Sequence, residues 1–263
     1  MLALVSGKGS LPALVAQAQD ETPLVCVLEG FLPEGLTPDI TFRLENLGSL
    51  LADLKVRGVS EVCFCGAIER PPFDPGKLDA ATVPLVPMMM EAMGSGDDGA
   101  LRAVMALFEE QGLKVRAAHD LAPGLVAPVG VLSKMQPNDQ MQTDVKRADA
   151  VLAALAPLDV GQGCVVGAGQ VWGIETTGGT DHMLSTLPKG VGRIKAVLVK
   201  SPKLGQDLRA DMPTIGPATI TGVAEAGLAG LVVQAGEVLI LNREETVAAA
   251  DTAGLVLWSR APV

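Results

Sequence analysis

Two carboxylates and a hydroxyl stand close together in the second half of the chain, at Glu175, Thr180 and Asp181. Glu175 follows a short apolar run, and the glycine-rich segment 176–179 separates it from Thr180, which is a suitable N-cap for a following helix. Backbone N–H groups at a helix start attract anions, and a nearby carboxylate can hold a hard cation that bridges the same anion. The spacing therefore indicates a phosphate-and-metal site. Pattern alone favours a simpler structure, a hairpin followed by a capped surface helix, because glycine-rich turns are common connectors.

Two further loops in this half concentrate polar side chains. Lys200 and Lys203 bracket a proline turn, and Asp211 precedes a second proline turn that ends at Thr214, a candidate cap for the next helix. If these loops met segment 175–181, they would supply acids for a cation, lysines for phosphate charge and a hydroxyl. That set suits metal-assisted phosphoryl hydrolysis. The sequence does not determine whether the loops meet, and it contains no evident Ser–His–Asp or Cys–His nucleophilic arrangement.

A glycine-rich loop follows the first apolar run of the chain. Gly7 and Gly9 come directly after segment 2–5, and Glu29 closes the second apolar run about 20 residues later, as in a dinucleotide-binding fingerprint. The third glycine of that fingerprint is replaced by Pro12. The loop therefore favours a phosphate near a helix start, and it supports a redox cofactor only weakly.

Two more charged positions in the first half have both a functional and a structural explanation. Arg70 lies in a Gly- and Pro-containing loop after the apolar run 61–65, where open α/β sheets place ligands. Arg70 could bind a phosphate or face solvent before its proline turn. Asp97 and Asp98 precede a helical pattern, and acids at that position interact favourably with the helix dipole, which competes with a role in holding metal or substrate.

The order of apolar runs and amphipathic segments predicts two α/β domains. Strands at 2–5, 24–28 and 61–65 alternate with helices in the first half, as in a doubly wound fold. The second half instead predicts two hairpins, one across 164–174 and one joining 230–234 to 237–241. We therefore expect an N-terminal Rossmann-like doubly wound domain at residues 1–130 and a C-terminal mixed α/β domain at residues 131–263.

Composition limits the partners of the protein. The 263 residues carry a formal net charge of -10 and only 3% aromatic side chains, which argues against a nucleic-acid partner. The four cysteines form no C-x-x-C pair, so their spacing does not suggest zinc, and buried free thiols indicate a reducing compartment. No apolar stretch reaches about 18 residues, and the apolar start lacks a basic segment. We therefore expect a cytoplasmic protein.

A set of short motifs in a fixed order covers nearly the whole chain, and together they resemble one family. Each motif alone is weak, but the set is similar to the LpxI family, the UDP-2,3-diacylglucosamine pyrophosphatases of lipid A biosynthesis. The motifs are Gly7-x-Gly9-x-Leu11-Pro12, Gly66-x-x-x-Arg70-Pro71, Gly96-Asp97-Asp98-x-x-Leu101, Asp159-Val160-Gly161-Gln162-Gly163, Glu175-x-x-x-Gly179-Thr180-Asp181-x-Met183-Leu184, Lys200-x-Pro202-Lys203 and Asp211-x-Pro213-Thr214-Ile215-Gly216.

The resemblance implies Mg²⁺-dependent hydrolysis of the substrate diphosphate to UMP and 2,3-diacylglucosamine 1-phosphate (lipid X). It implies that Asp211, Glu175 and Asp181 are catalytic, with Asp211 and Glu175 as metal ligands. The implied substrate-binding residues are Gly7, Lys8, Gly9, Arg70, Asp97, Asp98, Gln162, Thr180, Lys200, Lys203 and Thr214. The implied partner is a lipid nucleotide, which would require transient contact with the inner-membrane surface. The oligomeric state stays open, with a homodimer as one option.

The sequence departs from the family pattern at two positions. Lys8 stands where the family loop often has glycine, and Ala67 stands where a lysine is common. We hypothesise that one lysine substitutes for the other in space. Two other functions remain open: an NAD(P)-type oxidoreductase, which the missing glycine weakens, and a non-catalytic nucleotide-sugar or lipid binding protein, which the presence of Asp211 disfavours.

Overall fold

The chain divides into two compact units in a computed structural model that describes residues 1–69, 73–94, 97–209 and 211–261. The N-terminal unit comprises Met1–Gly124 together with the later segment Asp207–Asp211, and the C-terminal unit comprises Leu125–Gln206 and Met212–Val263. We expected the boundary between the domains after residue 130, and the two units first divide a few residues earlier, after Gly124. The return of segment 207–211 to the N-terminal unit was not predicted from the sequence.

The N-terminal unit is built on a five-stranded parallel sheet with the strand order β3-β2-β1-β4-β5. This order, reversing direction beside the first strand, is that of a doubly wound fold, so the prediction is confirmed. Its strands are β1 (Leu2–Ser6), β2 (Leu24–Leu28), β3 (Ile40–Phe42), β4 (Glu61–Cys65) and β5 (Lys114–Val115). Its helices are α1 (Leu11–Gln17), α2 (Leu47–Val56), α3 (Val86–Gly94), α4 (Asp97–Glu110) and α5 (Ala118–Leu121).

Helix α4 is fixed to the sheet by large apolar side chains. Met105, Leu107 and Phe108 belong to the buried core of this unit, and the Phe108 ring meets the Phe64 ring of β4 edge to face at 5.1 Å between centroids. Buried aromatic pairs of this geometry add to the stabilisation from apolar burial. The second half of α4 is therefore held in a fixed position against the sheet by core packing.

The C-terminal unit contains a six-stranded mixed sheet with the order β6-β13-β11-β9-β7-β8 and a separate two-stranded parallel sheet of β10 and β12. Its three central strands β9, β11 and β13 are parallel, whereas β6, β7 and β8 each pair antiparallel, which confirms the predicted mixed α/β class. The strands are β6 (Gly130–Val131), β7 (Gly163–Gly167), β8 (Gln170–Ile174), β9 (Val197–Lys200), β10 (Thr214–Ile215), β11 (Gly230–Gln234), β12 (Leu239–Ile240) and β13 (Val256–Arg260). The helices are α6 (Asp139–Leu155), α7 (Gly179–Ser185), α8 (Pro217–Glu225) and α9 (Arg243–Thr252).

The prediction of a hairpin between segments 230–234 and 237–241 was wrong. Strand β11 is flanked on both sides by parallel partners, β9 and β13, so neither edge is free for a hairpin partner. The chain turns at Gly236, whose φ is +80°, and β12 then pairs in parallel with β10. The apolar and turn pattern was correct, but the neighbours of β11 come from distant parts of the chain.

The other predicted hairpin, β7–β8, is present and is supported by helix α6. Ala168 and Gly169 form its turn with φ angles of +50° and +76°. The buried carboxylate of Asp144 accepts hydrogen bonds from the backbone N–H groups of both turn residues, at 3.2 and 2.7 Å. The helix thus fixes the turn and, through it, the position of β8.

Candidate active site

Glu175 and Lys200 are brought together by the strand order of the C-terminal sheet. Both β8 and β9 run antiparallel to β7, so their carboxyl ends lie on either side of the beginning of β7. The Glu175 N–H donates to the Gly163 carbonyl at 2.8 Å, and Lys200 is the register partner of Gly163. A carboxylate and an ammonium that are 25 positions apart in sequence therefore meet across one glycine.

Thr180 joins Glu175 and Lys200 in a buried polar cluster, which we call the Glu175 cluster. The Lys200 Nζ donates to the Thr180 Oγ1 at 2.5 Å, and the Thr180 hydroxyl donates to the Glu175 Oε2 at 2.5 Å. The Lys200 Nζ also lies 3.3 Å from the same carboxylate oxygen. Because Glu175 and Lys200 are each only 8% exposed, their opposite charges must compensate each other, as buried ion pairs do.

Two glycines before and at the start of β7 make room for Glu175. A Cβ atom at Gly163 would lie 2.8 Å from the Glu175 Oε2, and one at Gly161 would lie 1.9 Å from the Glu175 carbonyl oxygen. Gly161 also has a φ of +55°, a conformation that glycine adopts most readily. Sequence reasoning missed this role, although glycines two residues apart at a strand start are a sign of close backbone approach.

Thr180 is not the helix cap that its sequence position suggested. Helix α7 has Gly178 at its N-cap and begins at Gly179, so Thr180 is already inside the helix. Its hydroxyl therefore contacts charged side chains rather than backbone N–H groups. Helix α7 thus places a hydroxyl beside a carboxylate and an ammonium, and the phosphate-binding role expected of its start stays a prediction.

Lys203 and Gln162 extend this edge of the sheet. The Ser201 N–H donates to the Gln162 carbonyl at 3.0 Å, which continues the β7–β9 pairing beyond both strands. Further along the same two segments, the Lys203 ammonium forms an ion pair with Asp159, whose φ is +55°. Asp159 was part of a recognised motif, but its pairing with Lys203 was not predicted.

Two other predicted residues of this unit lie outside the hydrogen bonds of the Glu175 cluster. Asp181 is exposed on α7 and lines a groove of about 850 Å³ together with apolar Leu184, Leu187 and Val191. The Thr214 hydroxyl donates to the Met212 carbonyl at 3.0 Å, and α8 begins only at Pro217 after the N-cap Gly216. The prediction that Thr214 caps this helix was therefore wrong, because Thr214 belongs to strand β10.

In the N-terminal unit, the glycine-rich loop after β1 is packed against the extension of β4. The Gly7 N–H donates to the Cys65 carbonyl at 2.8 Å, and Lys8 and Ala67 exchange two backbone hydrogen bonds of 2.9 and 3.0 Å. A Cβ atom at Gly7 would lie 2.4 Å from the Ala67 carbonyl oxygen. Gly7 is thus explained by close packing of two loops, and the N–H groups of Gly7 and Lys8 are already bonded, which weakens the dinucleotide interpretation.

The same pairing bears on the two departures from the family pattern. Positions 8 and 67 are bridge partners, so side chains at these positions are close in space, as the lysine-substitution hypothesis requires. The Lys8 ammonium lies 5.2 Å from the centroid of the Phe31 ring and 3.6 Å from the Glu69 carboxylate. Gly9 has a φ of +90° and forms a bridge with Pro33 on the other side of the loop.

The remaining predicted residues belong to the N-terminal unit or lie outside the described chain. Asp97 and Asp98 are the first residues of α4, and Arg70 lies outside the described residues. Asp211 is half-buried at the end of the segment Asp207–Asp211, which belongs to the N-terminal unit. Across the described ranges, no group of three or more His, Cys, Asp or Glu side chains is placed to hold a metal ion, and no helix in those ranges has the length and apolarity to cross a membrane.

Comparisons with known proteins cover both units. A family model described as the LpxI N-terminal domain matches residues 1–125, and one described as the LpxI C-terminal domain matches residues 128–258. A relative from Caulobacter vibrioides, named UDP-2,3-diacylglucosamine pyrophosphatase LpxI, is 37% identical over 266 aligned positions, which cover 97% of this chain and 95% of the relative.

Proposed function

Because this chain belongs to the LpxI family, we propose that it is a UDP-2,3-diacylglucosamine pyrophosphatase of lipid A biosynthesis. The observation that carries the proposal is the 37% identity to a protein of that name across 97% of this chain, with matches to both LpxI domains. In the proposed reaction, water cleaves the phosphorus–oxygen–phosphorus bridge of the diphosphate. The products are UMP and 2,3-diacylglucosamine 1-phosphate, and the oxygen of water ends on one of the two phosphates.

The Glu175 cluster holds one ammonium, that of Lys200, in a fixed position for this reaction. The Lys200 ammonium is held between the Glu175 carboxylate and the Thr180 hydroxyl and is largely buried. A charge fixed in a water-poor site stabilises developing negative charge without further reorganisation. We assign to Lys200 the binding of a diphosphate oxygen, with Lys203 as a second cation at the same edge of the sheet.

Glu175 has a supporting role that follows from its contacts. Its carboxylate holds both Lys200 and Thr180 in place, so it orients the groups that would meet the substrate. Asp211 is the acid that we propose for activation of the attacking water or for metal binding, and Asp181, exposed on α7, is proposed as a further acid near the reaction.

Mg²⁺ is the cofactor that we propose, with Asp211 and Glu175 as its protein ligands. Lys200 already contacts one oxygen of Glu175, and the carboxylate would also offer the oxygen ligand that a hard cation prefers. Mg²⁺ in phosphoryl-transfer sites is commonly held by one or two carboxylates, waters and substrate phosphates rather than by a protein cage, so a few carboxylates would be sufficient as protein ligands. When bound, the ion would neutralise charge on the diphosphate and polarise it.

The substrate class sets where the protein works. UDP-2,3-diacylglucosamine carries two acyl chains and resides at a membrane surface, so we propose a cytoplasmic protein that contacts the inner membrane transiently. The formal net charge of -10 would repel an anionic surface at long range, which favours brief contact over stable attachment.

The test is hydrolysis of UDP-2,3-diacylglucosamine by the purified protein with Mg²⁺, with EDTA, and by the Asp211→Asn variant. We expect UMP and the lipid phosphate only from the wild-type protein with Mg²⁺, and a loss of kcat of about 100-fold or more for Asp211→Asn, because general acid–base or metal chemistry typically contributes that much. Isotopically labelled water would identify the phosphorus that is attacked.

A matched control separates the role of Asp211 from a general loss of charge. Glu110→Gln removes another carboxylate of the N-terminal unit, one that is exposed at the end of α4, and should leave kcat unchanged. Substrate binding without hydrolysis would indicate a binding protein instead. Binding of a nicotinamide nucleotide, with no hydrolysis, would favour the oxidoreductase.

A further inference from the structure

The segment Asp207–Asp211 is a short piece of the second half of the chain that belongs to the N-terminal unit. The chain on either side of it, up to Gln206 and from Met212, belongs to the C-terminal unit. The segment ends at Asp211, and its described residues, 207–209 and 211, lie outside helices and strands. An acid on an irregular segment needs an anchor if it is to act at a fixed position.

Arg209 supplies that anchor through Glu109 on α4, and Asp207, in the same segment, holds its guanidinium. Its guanidinium donates to the Glu109 Oε1 at 2.7 Å, and it forms a forked contact with Asp207, with hydrogen bonds of 3.0 Å from Nε and 2.7 Å from the terminal nitrogen. The Arg209 N–H also donates to the Asp207 carboxylate at 3.1 Å. Arg102 on α4 lies 3.9 Å from the Asp207 Oδ2, the oxygen that also accepts from the Arg209 terminal nitrogen. We call these four side chains the Arg209 network.

The far end of the network rests on a rigid element. Glu109 directly follows Phe108 on α4, and Phe108 is 1% exposed in the core of the N-terminal unit. Arg102 lies on the same helix. The network therefore ties the Asp211 segment to a helix that is fixed by core packing.

Within the network, Arg209 and Asp207 stabilise each other's charged forms. The hydrogen bond from Arg209 lowers the pKa of the Asp207 carboxyl, and Asp207 in turn raises the pKa of the Arg209 guanidinium. The pKa of Asp207 is lower in the folded protein than in the unfolded chain. The ion pair therefore stabilises the fold at any pH above the ordinary pKa of an aspartate, and this stabilisation is lost as the pH falls through the lowered pKa. The Arg209–Asp207 ion pair is therefore present over the physiological pH range.

The exposure of the network indicates that its role is local. The Arg209 and Glu109 side chains are 41% and 43% exposed, and exposed ion pairs contribute little to global stability because water and salt screen them. The forked contact with Asp207 still fixes the orientation of the Arg209 guanidinium, which then donates to Glu109 on α4 at 2.7 Å. The structure thus contains an ordered contact whose effect on folding should be small and whose effect on the position of the segment should be large.

We propose that Arg209 is a positioning residue for Asp211, and that it acts by clamping the segment Asp207–Asp211 to α4 through Glu109. The proposal rests on the proposed function, because it takes Asp211 as the acid of the hydrolysis. Arg209 itself does not contact the substrate or take part in the hydrolysis in this proposal.

Kinetics test the consequence for the reaction. Arg209→Gln and Glu109→Gln should each lower kcat at saturating Mg²⁺ by about tenfold or more, because misplacing a reacting group by about 1 Å has effects of up to about 100-fold. The KM should change much less than kcat, and the melting temperature should stay close to that of the wild type. Arg209→Lys keeps the charge but loses the fork, so we expect partial recovery of kcat. The double variant should lose no more than Arg209→Gln alone, since both changes break one contact.

Glu110→Gln is the matched control, because Glu110 is the next residue on α4 and is exposed. It should behave as the wild type in every measurement. If kcat is retained in Arg209→Gln, or if Glu110→Gln lowers kcat equally, the positioning role is overturned.

Amide hydrogen exchange tests the clamp independently of activity. The peptide that covers residues 207–211 should exchange faster in Arg209→Gln and Glu109→Gln than in the wild type, with no change in peptides from β1 or β4. Unchanged exchange at 207–211 would overturn the clamp. If the wild-type protein does not hydrolyse UDP-2,3-diacylglucosamine, the proposed function is wrong. The exchange measurement would then still decide whether Arg209 anchors the segment.

Discussion

At Glu175, one carboxylate oxygen is shared by a hydroxyl and an ammonium. The contacts run from the Lys200 Nζ to the Thr180 Oγ1 and from there to the Glu175 Oε2, each 2.5 Å long. Because Glu175 and Lys200 are both nearly buried, a displacement of either would leave a charge without its partner, which is strongly unfavourable in a protein interior. The cluster should therefore be sensitive to small steric changes around Glu175.

Gly163→Ala is the smallest change that tests this sensitivity. Its new Cβ would lie 2.8 Å from the Glu175 Oε2, so the carboxylate must move and release its contacts with Thr180 and Lys200. We expect kcat for UDP-2,3-diacylglucosamine hydrolysis to fall by about 100-fold, the effect of misplacing an active-site group by about 1 Å. Steady-state kinetics, with circular dichroism to verify the fold, would measure this.

The control for this change is Gly94→Ala, because a Cβ atom at Gly94 would meet no heavy atom within 4 Å. That variant should retain wild-type kcat. Wild-type activity in Gly163→Ala would show that the position of the Glu175 carboxylate does not matter for the reaction.

Single residues also show where sequence reasoning stops. The types and spacing of Glu175, Thr180 and Lys200 were sufficient to single them out, but Thr180 was expected to cap α7. A hydroxyl at a helix start can accept from backbone N–H groups or interact with charged side chains, and only the fold places Glu175 and Lys200 within its reach. Local pattern does not contain that information.

At the scale of elements, prediction was most accurate for buried strands. Strands β2 and β4 begin and end at the predicted residues, because apolar runs bounded by polar or turn residues leave little freedom in their limits. Strand β12 was assigned to the wrong partner. Its pairing with β10 depends on which strands flank β11, and those strands come from elsewhere in the chain.

The link between α6 and the β7–β8 turn gives the prediction at this scale. Asp144→Ala removes the acceptor of two backbone hydrogen bonds, from Ala168 and Gly169. Hydrogen bonds to a charged group contribute about 1.5–3 kcal/mol each, and exposed turn N–H groups regain part of this from water. We expect the free energy of unfolding to fall by about 2 kcal/mol, as measured by urea denaturation.

Gln142→Ala on the exposed side of the same helix controls for the helix itself and should change the unfolding free energy by less than about 0.5 kcal/mol. Equal stability of Asp144→Ala and the wild type would mean that the turn does not depend on α6. Asp144→Asn keeps one acceptor oxygen, so its free energy of unfolding should lie between those of Asp144→Ala and the wild type.

At the scale of the whole molecule, the path of the chain was the feature least accessible from sequence. The doubly wound and mixed α/β classes follow from the order of strands and helices, and both were confirmed. The segment 207–211 returns to the N-terminal unit, where its side chains form ion pairs with residues about 100 positions earlier, such as Arg209 with Glu109. Charged residues of this kind are common on any surface, so their pairing has no local signal.

Buried thiols in both units make the stability of the protein depend on alkaline pH. All four cysteines are free and buried. Burial raises the pKa of Cys26 from 9.0 to about 12 and that of Cys164 from 9.0 to about 11. The hydrogen bond with Cys63, together with burial, raises the pKa of Cys65. In the unfolded chain these thiols ionise near their ordinary value, whereas in the folded protein they keep their protons.

The sign of the effect follows from proton binding. Between pH 9 and the raised values, the folded state binds more protons than the unfolded state, so the free energy of unfolding decreases as the pH rises. Each such thiol should account for a loss of about 1.4 kcal/mol between pH 8 and pH 10, since one pKa unit corresponds to about that free energy. Cys26→Ala lacks one thiol and should lose about 1.4 kcal/mol less than the wild type over this interval, even though its absolute stability is lower at both pH values. Guanidinium denaturation at the two pH values, under reducing conditions, measures the difference.

An identical pH dependence of Cys26→Ala and the wild type would mean that Cys26 ionises equally in the folded and the unfolded chain. Its position in the core of the doubly wound sheet should not allow this.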